Sequence, residues 1–130
     1  MMKDSGARML LVDPHTEKGM RGVLVRDFED ILKALDCRVF SCHVIAIEGY
    51  LICAYYDDEE LLIDRDHRPI MFDKNKEPLV YGRVLLGMLD YEGNDVSLSF
   101  DAFTAIMDNA VLVANRSRTV KYYAIGGVVW

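Results

Sequence analysis

The sequence predicts an α+β fold, a mainly antiparallel sheet with two helices, on three observations. Residues 38–56, RVFSCHVIAIEGYLICAYY, are two β-branched and aromatic runs joined at Glu48-Gly49, the composition of paired strands around a two-residue turn. Two segments, about 27–36 and about 98–109, carry apolar residues at helical spacing behind a capping residue. The other apolar runs are short and strand-like, so the order is strand-rich with a helix near each end.

In chain order, residues 7–12 read as a strand stopped by Asp13-Pro14, since proline donates nothing to a ladder. A polar loop over 15–20 and a short strand at 22–26 lead to the first helix. There Phe28, Ile31, Leu32 and Leu35 form one apolar face, Asp27 is the N-cap, and Glu29 and Asp30 suit the positive end of the helix dipole. The hairpin follows. With Gly49 supplying a positive φ, Ile47 faces Tyr50 and the register is set.

That register puts Phe40, Cys42, Val44, Ala46, Leu51, Cys53 and Tyr55 on one face. The other holds His43, Ile45, Ile52 and Tyr56 among further apolar residues. Because neither face is polar, the hairpin is expected centrally in a sheet, covered on both faces or covered on one by another copy of the chain.

Leu61, Leu62 and Ile63 suggest a further short strand. Residues 64–78 are the least regular stretch, with an apolar island at Ile70-Met71-Phe72, and 79–89 regain strand character. In the second helix, capped by Ser97 or Ser99, Phe103, Ile106, Met107 and Ala110 keep helical spacing. A last hairpin joins 111–114 to 119–125, and Gly126-Gly127 predict a bulge before the end.

At 130 residues, 52% apolar and 28% charged, the chain is expected to be one globular domain with its own core. The longest apolar stretch is interrupted by Glu48-Gly49, and the N-terminal apolar patch is short and flanked by Asp4 and Asp13. Neither a membrane helix nor a signal peptide is predicted, and a cytoplasmic location is expected. Three cysteines, at 37, 42 and 53, make no secreted disulfide framework, so reduced thiols are expected. The net charge of −6 disfavours nucleic acid, and the small basic-aromatic group Arg116, Arg118, Lys121, Tyr122 and Tyr123 does not reverse that.

Candidate chemistry is sparse. Cys37, Cys42 and His43 offer zinc-type donors, but neighbouring residues on a strand point to opposite faces, so no metal site is expected. Asp57, Asp58, Glu59 and Glu60 resemble the start of a calcium loop, yet Leu62 and Arg68 stand where glycine and glutamate are needed; a solvated acidic turn is the simpler reading. Residues 64–83 offer Arg65, His67, Arg68, Asn75, Tyr81 and Arg83 as a site for an anionic small molecule or nucleotide. The chain has neither a glycine-rich phosphate loop nor a nucleophile elbow, and no catalytic residue and no cofactor is assigned.

The helix, the hairpin around Ile47-Glu48-Gly49-Tyr50, the second strand running into acidic residues and the later PLVYGRVLLG resemble a family of small phage and mobile-element proteins, a domain of unknown function, over residues 27–90. Members often carry an asparagine in the polar loop; this chain has Asp73 there, with Asn75 two residues on. The resemblance implies an accessory protein that binds a host component. The expectation is therefore a non-enzymatic interaction protein, phage- or plasmid-borne, meeting a protein partner or a second copy through His43, Ile45, Ile52 and Tyr56.

Overall fold

The computed structural model describes residues 6–130; the first five, part of the N-terminal stretch read against a signal peptide, lie outside the described residues. The elements are β1 (Ala7–Val12), β2 (Met20–Val25), α1 (Phe28–Leu35), β3 (Phe40–Ile47), β4 (Tyr50–Asp57), β5 (Pro69–Asp73), β6 (Pro78–Tyr81), β7 (Val84–Leu89), β8 (Asp95–Val96), α2 (Phe100–Asp108), β9 (Ala110–Ala114) and β10 (Lys121–Val128). One sheet has the order β2-β1-β7-β4-β3, with β8 also on β7. A second has the order β6-β5-β10-β9. All pairs are antiparallel except β5 with β10, so the fold is α+β as the sequence predicts.

The β3–β4 hairpin has the expected register: Ile47 pairs with Tyr50 and His43 with Ala54. Glu48 at φ 49° and Gly49 at φ 85° are both left-handed, the signature of the turn whose twist matches that of the strands. Its expected central placement holds for β4, which lies between β7 and β3, but β3 is the sheet edge. The tail of β10 closes part of that edge, since Ala46 and Val129 exchange both backbone hydrogen bonds (3.0 and 3.1 Å).

Both faces of the hairpin meet elements of the same chain. Ile45, Ile47, Ile52 and Ala54 join Ile70, Met71, Ile106, Ile125 and Val128 in one core between the sheets. Cys53 and Tyr55 join Met9, Leu11 and Leu85 under Ile31, Ala34 and Leu35 of α1 in another. With eight residues each, α1 is about 12 Å long and the hairpin strands about 26 Å. The turn-proximal half of the α1 side is therefore uncovered, and Val44 and Leu51 are about half exposed there.

Asp27 caps α1 as expected, accepting from the Asp30 amide, and of the two serines offered for α2 it is Ser99 that caps, accepting from the Ala102 amide, so that helix starts at Phe100 and not at about 98. Their buried faces differ from the expected ones. Ala34 is buried in α1, while Phe28 lies against Phe40 at 5.9 Å and is 67% exposed. In α2 the small Ala102 and Ala105 sit beside Ile106 in the core, and Phe103 and Met107 turn outward. Alanines let a helix approach a sheet closely, and that approach sets the rotation of α2.

The expected strand at Leu61, Leu62 and Ile63 is instead a 3-10 turn over Glu60–Leu62. The expected irregular stretch holds β5, whose Ile70 and Met71 are fully buried. Residues 79–89 are two strands in different sheets, divided at Gly82 (φ 80°). The bulge expected at Gly126-Gly127 is present as a register shift between Ile125 and Val128. Among the described residues no helix is long and apolar enough to cross a membrane.

Candidate functional site

The polar residues singled out in 64–83 are brought together only in part. Arg65 and His67 converge on Glu60, a buried carboxylate: Arg65 donates through both Nε and Nη2, and His67 Nδ1 lies 2.9 Å away. Burial pushes the Glu60 carboxyl up, but the hydrogen bonds from Arg65 and His67 outweigh it and hold the group below its ordinary range. The carboxylate also lies against Gly82, where any Cβ would overlap it. Arg83 pairs with the buried Asp13 at 3.0 Å and donates to the Ala34 carbonyl.

Arg68 holds Asp66 at 2.7 Å, donates to the Pro14 carbonyl at 2.9 Å and lies 5.8 Å from the centroid of the Tyr122 ring. Tyr81 is half-buried opposite Pro69, at the same end of the β5–β6 pair as Arg68. Asn75 is in the turn at the other end, where its amide donates to Asp73. Arg65, Arg68 and Arg83 thus spend their charge on carboxylates and carbonyls of the chain, and the His67 ring faces the same Glu60 carboxylate. An anion at Arg65 or Arg83 would have to displace the buried carboxylate of Glu60 or Asp13 and leave that charge without its partner. The cluster ties loop 13–15, the Glu60 turn and the β6–β7 crossover together, and sequence reasoning missed its two anchors, Asp13 and Glu60.

The expected interface residues are also redistributed. Ile45 and Ile52 are 1% and 0% exposed, so they are core and not surface: the second sheet covers the face that another copy was expected to cover. His43 is partly exposed and stacks on Trp130 at 3.9 Å, with Tyr56 next to the same ring at 6.1 Å.

A cavity of about 450 Å³ lined by Asp36, Cys37, Arg38, Asp57 and Glu59, among others, contains a thiol. Burial, with Asp57 nearby, pushes the Cys37 thiol up to about 11, so it is protonated and weakly nucleophilic at neutral pH. Among the described residues no group of three or more His, Cys, Asp or Glu could hold a metal ion. Cys42 and Cys53 lie on one face of the hairpin with their Sγ atoms 2.7 Å apart.

The most open feature is β9. It pairs with β10 alone among the described strands. The bonds from Asn115 N to Val120 O and from Gly126 N to Asn109 O place the odd-numbered residues 109–115 toward β10. The alternation aims the N–H and C=O groups of Ala110, Leu112 and Ala114 outward. Leu112 and its neighbour Tyr123 are each 53% exposed. The strand has no charge, proline or bulge of its own, the devices by which sheet edges are usually protected. Asn109-Ala110-Val111-Leu112-Val113-Ala114-Asn115 is moreover a palindrome, with Asp108 before it and Arg116 after it. That signal lies open in the sequence, but it matters only once β9 is known to be an edge. Comparison of the chain with protein-family models, with curated proteins and with solved structures finds no match.

Proposed function

We propose that this protein is a non-enzymatic interaction module that assembles with a second copy of itself by adding β9 to β9. The observation that carries the reading is the uncharged β9 edge centred on Leu112, unpaired among the described residues. Two such edges related by a twofold axis pair antiparallel with Leu112 opposite Leu112, Ala110 opposite Ala114 and Val111 opposite Val113, so every outward group meets its own complement. In the same register Asp108 falls opposite Arg116 and Asn109 opposite Asn115, so the flanking charges are complementary in sequence. The mode is strand addition: main-chain hydrogen bonds supply affinity and the side chains of Leu112 and Tyr123 supply contact area.

The resemblance over residues 27–90 favours a role as a phage- or plasmid-borne accessory in the cytoplasm, with the paired form presenting its surface to a host protein. The other reading, an anionic small-molecule or nucleotide site over 64–83, is weakened because its cations already face Glu60, Asp13 and Asp66.

Sedimentation equilibrium of the whole chain at micromolar concentration tests the pairing. A particle of twice 14.8 kDa is expected. Leu112→Pro removes an outward N–H without touching the β10 ladder and is expected to give monomers of unchanged fold. Asp108→Arg and Arg116→Asp are each expected to weaken the pair, and the double exchange to restore it. A wild-type chain that sediments as a monomer throughout would sink the reading.

A further inference from the structure

We infer that Cys42 and Cys53 form an oxidisable pair that closes to a disulfide across the β3–β4 hairpin under a two-electron oxidant of the peroxide class. The register makes them diagonal neighbours: Cys42 pairs with Tyr55, and Val44 with Cys53. Diagonal Cα atoms on adjacent strands are typically about 7–8 Å apart, a little beyond the usual disulfide range of about 4.4–6.8 Å. Here the side chains lean together, and the Sγ–Sγ separation of 2.7 Å is within about 0.7 Å of the bond length, about 2.05 Å. Closure asks for a small side-chain rotation and a slight approach of the two strands.

Access favours the same pair. Cys42 is exposed, while Cys53, its neighbour on the same face, is buried. The two sulfurs share a hydrogen bond that holds the Cys53 thiol below its ordinary range, which favours Cys53 as the sulfur that attacks its oxidised partner. Cys37 precedes β3 and lies outside this pair; its thiol is pushed up by burial to about 11, and the Cys42 thiol is pushed up as well, by its hydrogen bond with Cys53 and by burial.

The reaction balances with peroxide as oxidant. The Cys42 sulfur attacks one peroxide oxygen, the O–O bond breaks, and Cys42 becomes a sulfenic acid as one water leaves. The Cys53 sulfur then attacks the Cys42 sulfur. The S–S bond forms as the S–O bond breaks, and the departing hydroxide takes the proton of Cys53 to become a second water. Two thiols lose two electrons and two protons; peroxide is reduced to two waters. A thiol reductant reverses the bond by exchange.

Intact-mass spectrometry of the whole chain, treated with hydrogen peroxide and then alkylated under denaturing conditions, tests this. The expected product carries one alkyl group instead of three and is about 2 Da lighter in its unalkylated part. Trypsin cuts after Arg38 and Arg65, so the loss should fall in peptide 39–65 and the alkyl group in the peptide holding Cys37. Cleavage after Glu48 should leave the two halves of 39–65 joined until reductant is added. Cys37→Ser should oxidise like the wild type, and Cys42→Ser should retain two alkylatable thiols. Three alkylated cysteines after peroxide, a bond that includes Cys37, a bond between chains, or accumulation of sulfinic acid at Cys42 would each overturn the inference.

Discussion

The β3–β4 hairpin and the stretch 64–83 hold their shape by opposite means. In the hairpin everything that sets the geometry lies between Phe40 and Asp57: alternating side chains, a turn with two positive φ values, and a register that follows from both. In 64–83 the strand β5 is placed by its pairing with β10, some fifty residues later, and the crossover at Gly82 is placed by the Glu60 carboxylate packed against it. Apolar burial dominates the first region; a partly buried charge cluster organises the second. The difference teaches that an arginine-rich stretch in an acidic protein can be an internal clamp as readily as a ligand site.

Substitutions on either side of this contrast should separate in size. The largest loss is expected for Ile45→Ala, about 2–5 kcal/mol in urea unfolding, because Ile45 is 1% exposed and shrinking it leaves a cavity between the sheets. A loss well under 1 kcal/mol would break the claim that the hairpin is the structural centre.

Glu60→Gln should cost less, about 2–3 kcal/mol at pH 7, since solvent reaches the 38%-exposed Arg65 side chain and screens part of the pair. Its pH dependence sharpens the assignment. The folded carboxyl is held below the ordinary 4.5, so as pH falls the unfolded chain takes up its proton first. The stability this group contributes is complete above about 4.5 and is lost as pH falls through the lower folded value. The difference between Glu60→Gln and wild type in unfolding free energy should accordingly shrink below pH 4.5; a constant difference would assign the effect to packing. The smallest effect is expected for Val44→Ala, next to Ile45 on the same strand but 48% exposed: within about 0.5 kcal/mol by the same measurement.

Much of the fold was legible in the sequence because its causes are local. Asp27 and Ser99 cap the helices as their residue types require, and Gly49 marks the turn. The candidate site was far less legible. Arg65, His67 and Arg83 were recognisable as functional residue types, but their partners Glu60 and Asp13 sat in what reads as a solvated acidic run and a strand-ending Asp-Pro. Ile45 and Ile52 looked available for a partner because alternation identifies a face without saying what covers it. The PLVYGRVLLG run read as one strand because its apolar character continues across Gly82, where the chain passes from one sheet to the other.

By itself the sequence determined the class of fold, the start of the first helix, the hairpin register and the opposed faces of Cys42 and His43, since capping, turn geometry and strand alternation act over a few residues. Tertiary structure alone decided that a second sheet covers the isoleucine face and that α1 is too short to cover the other. It also buried Glu60 against Gly82, brought the Cys42 and Cys53 sulfurs together, and left β9 as an open edge. Those outcomes depend on contacts between segments tens of residues apart, where burial is settled by the sum of all neighbours and not by any one residue's own pattern.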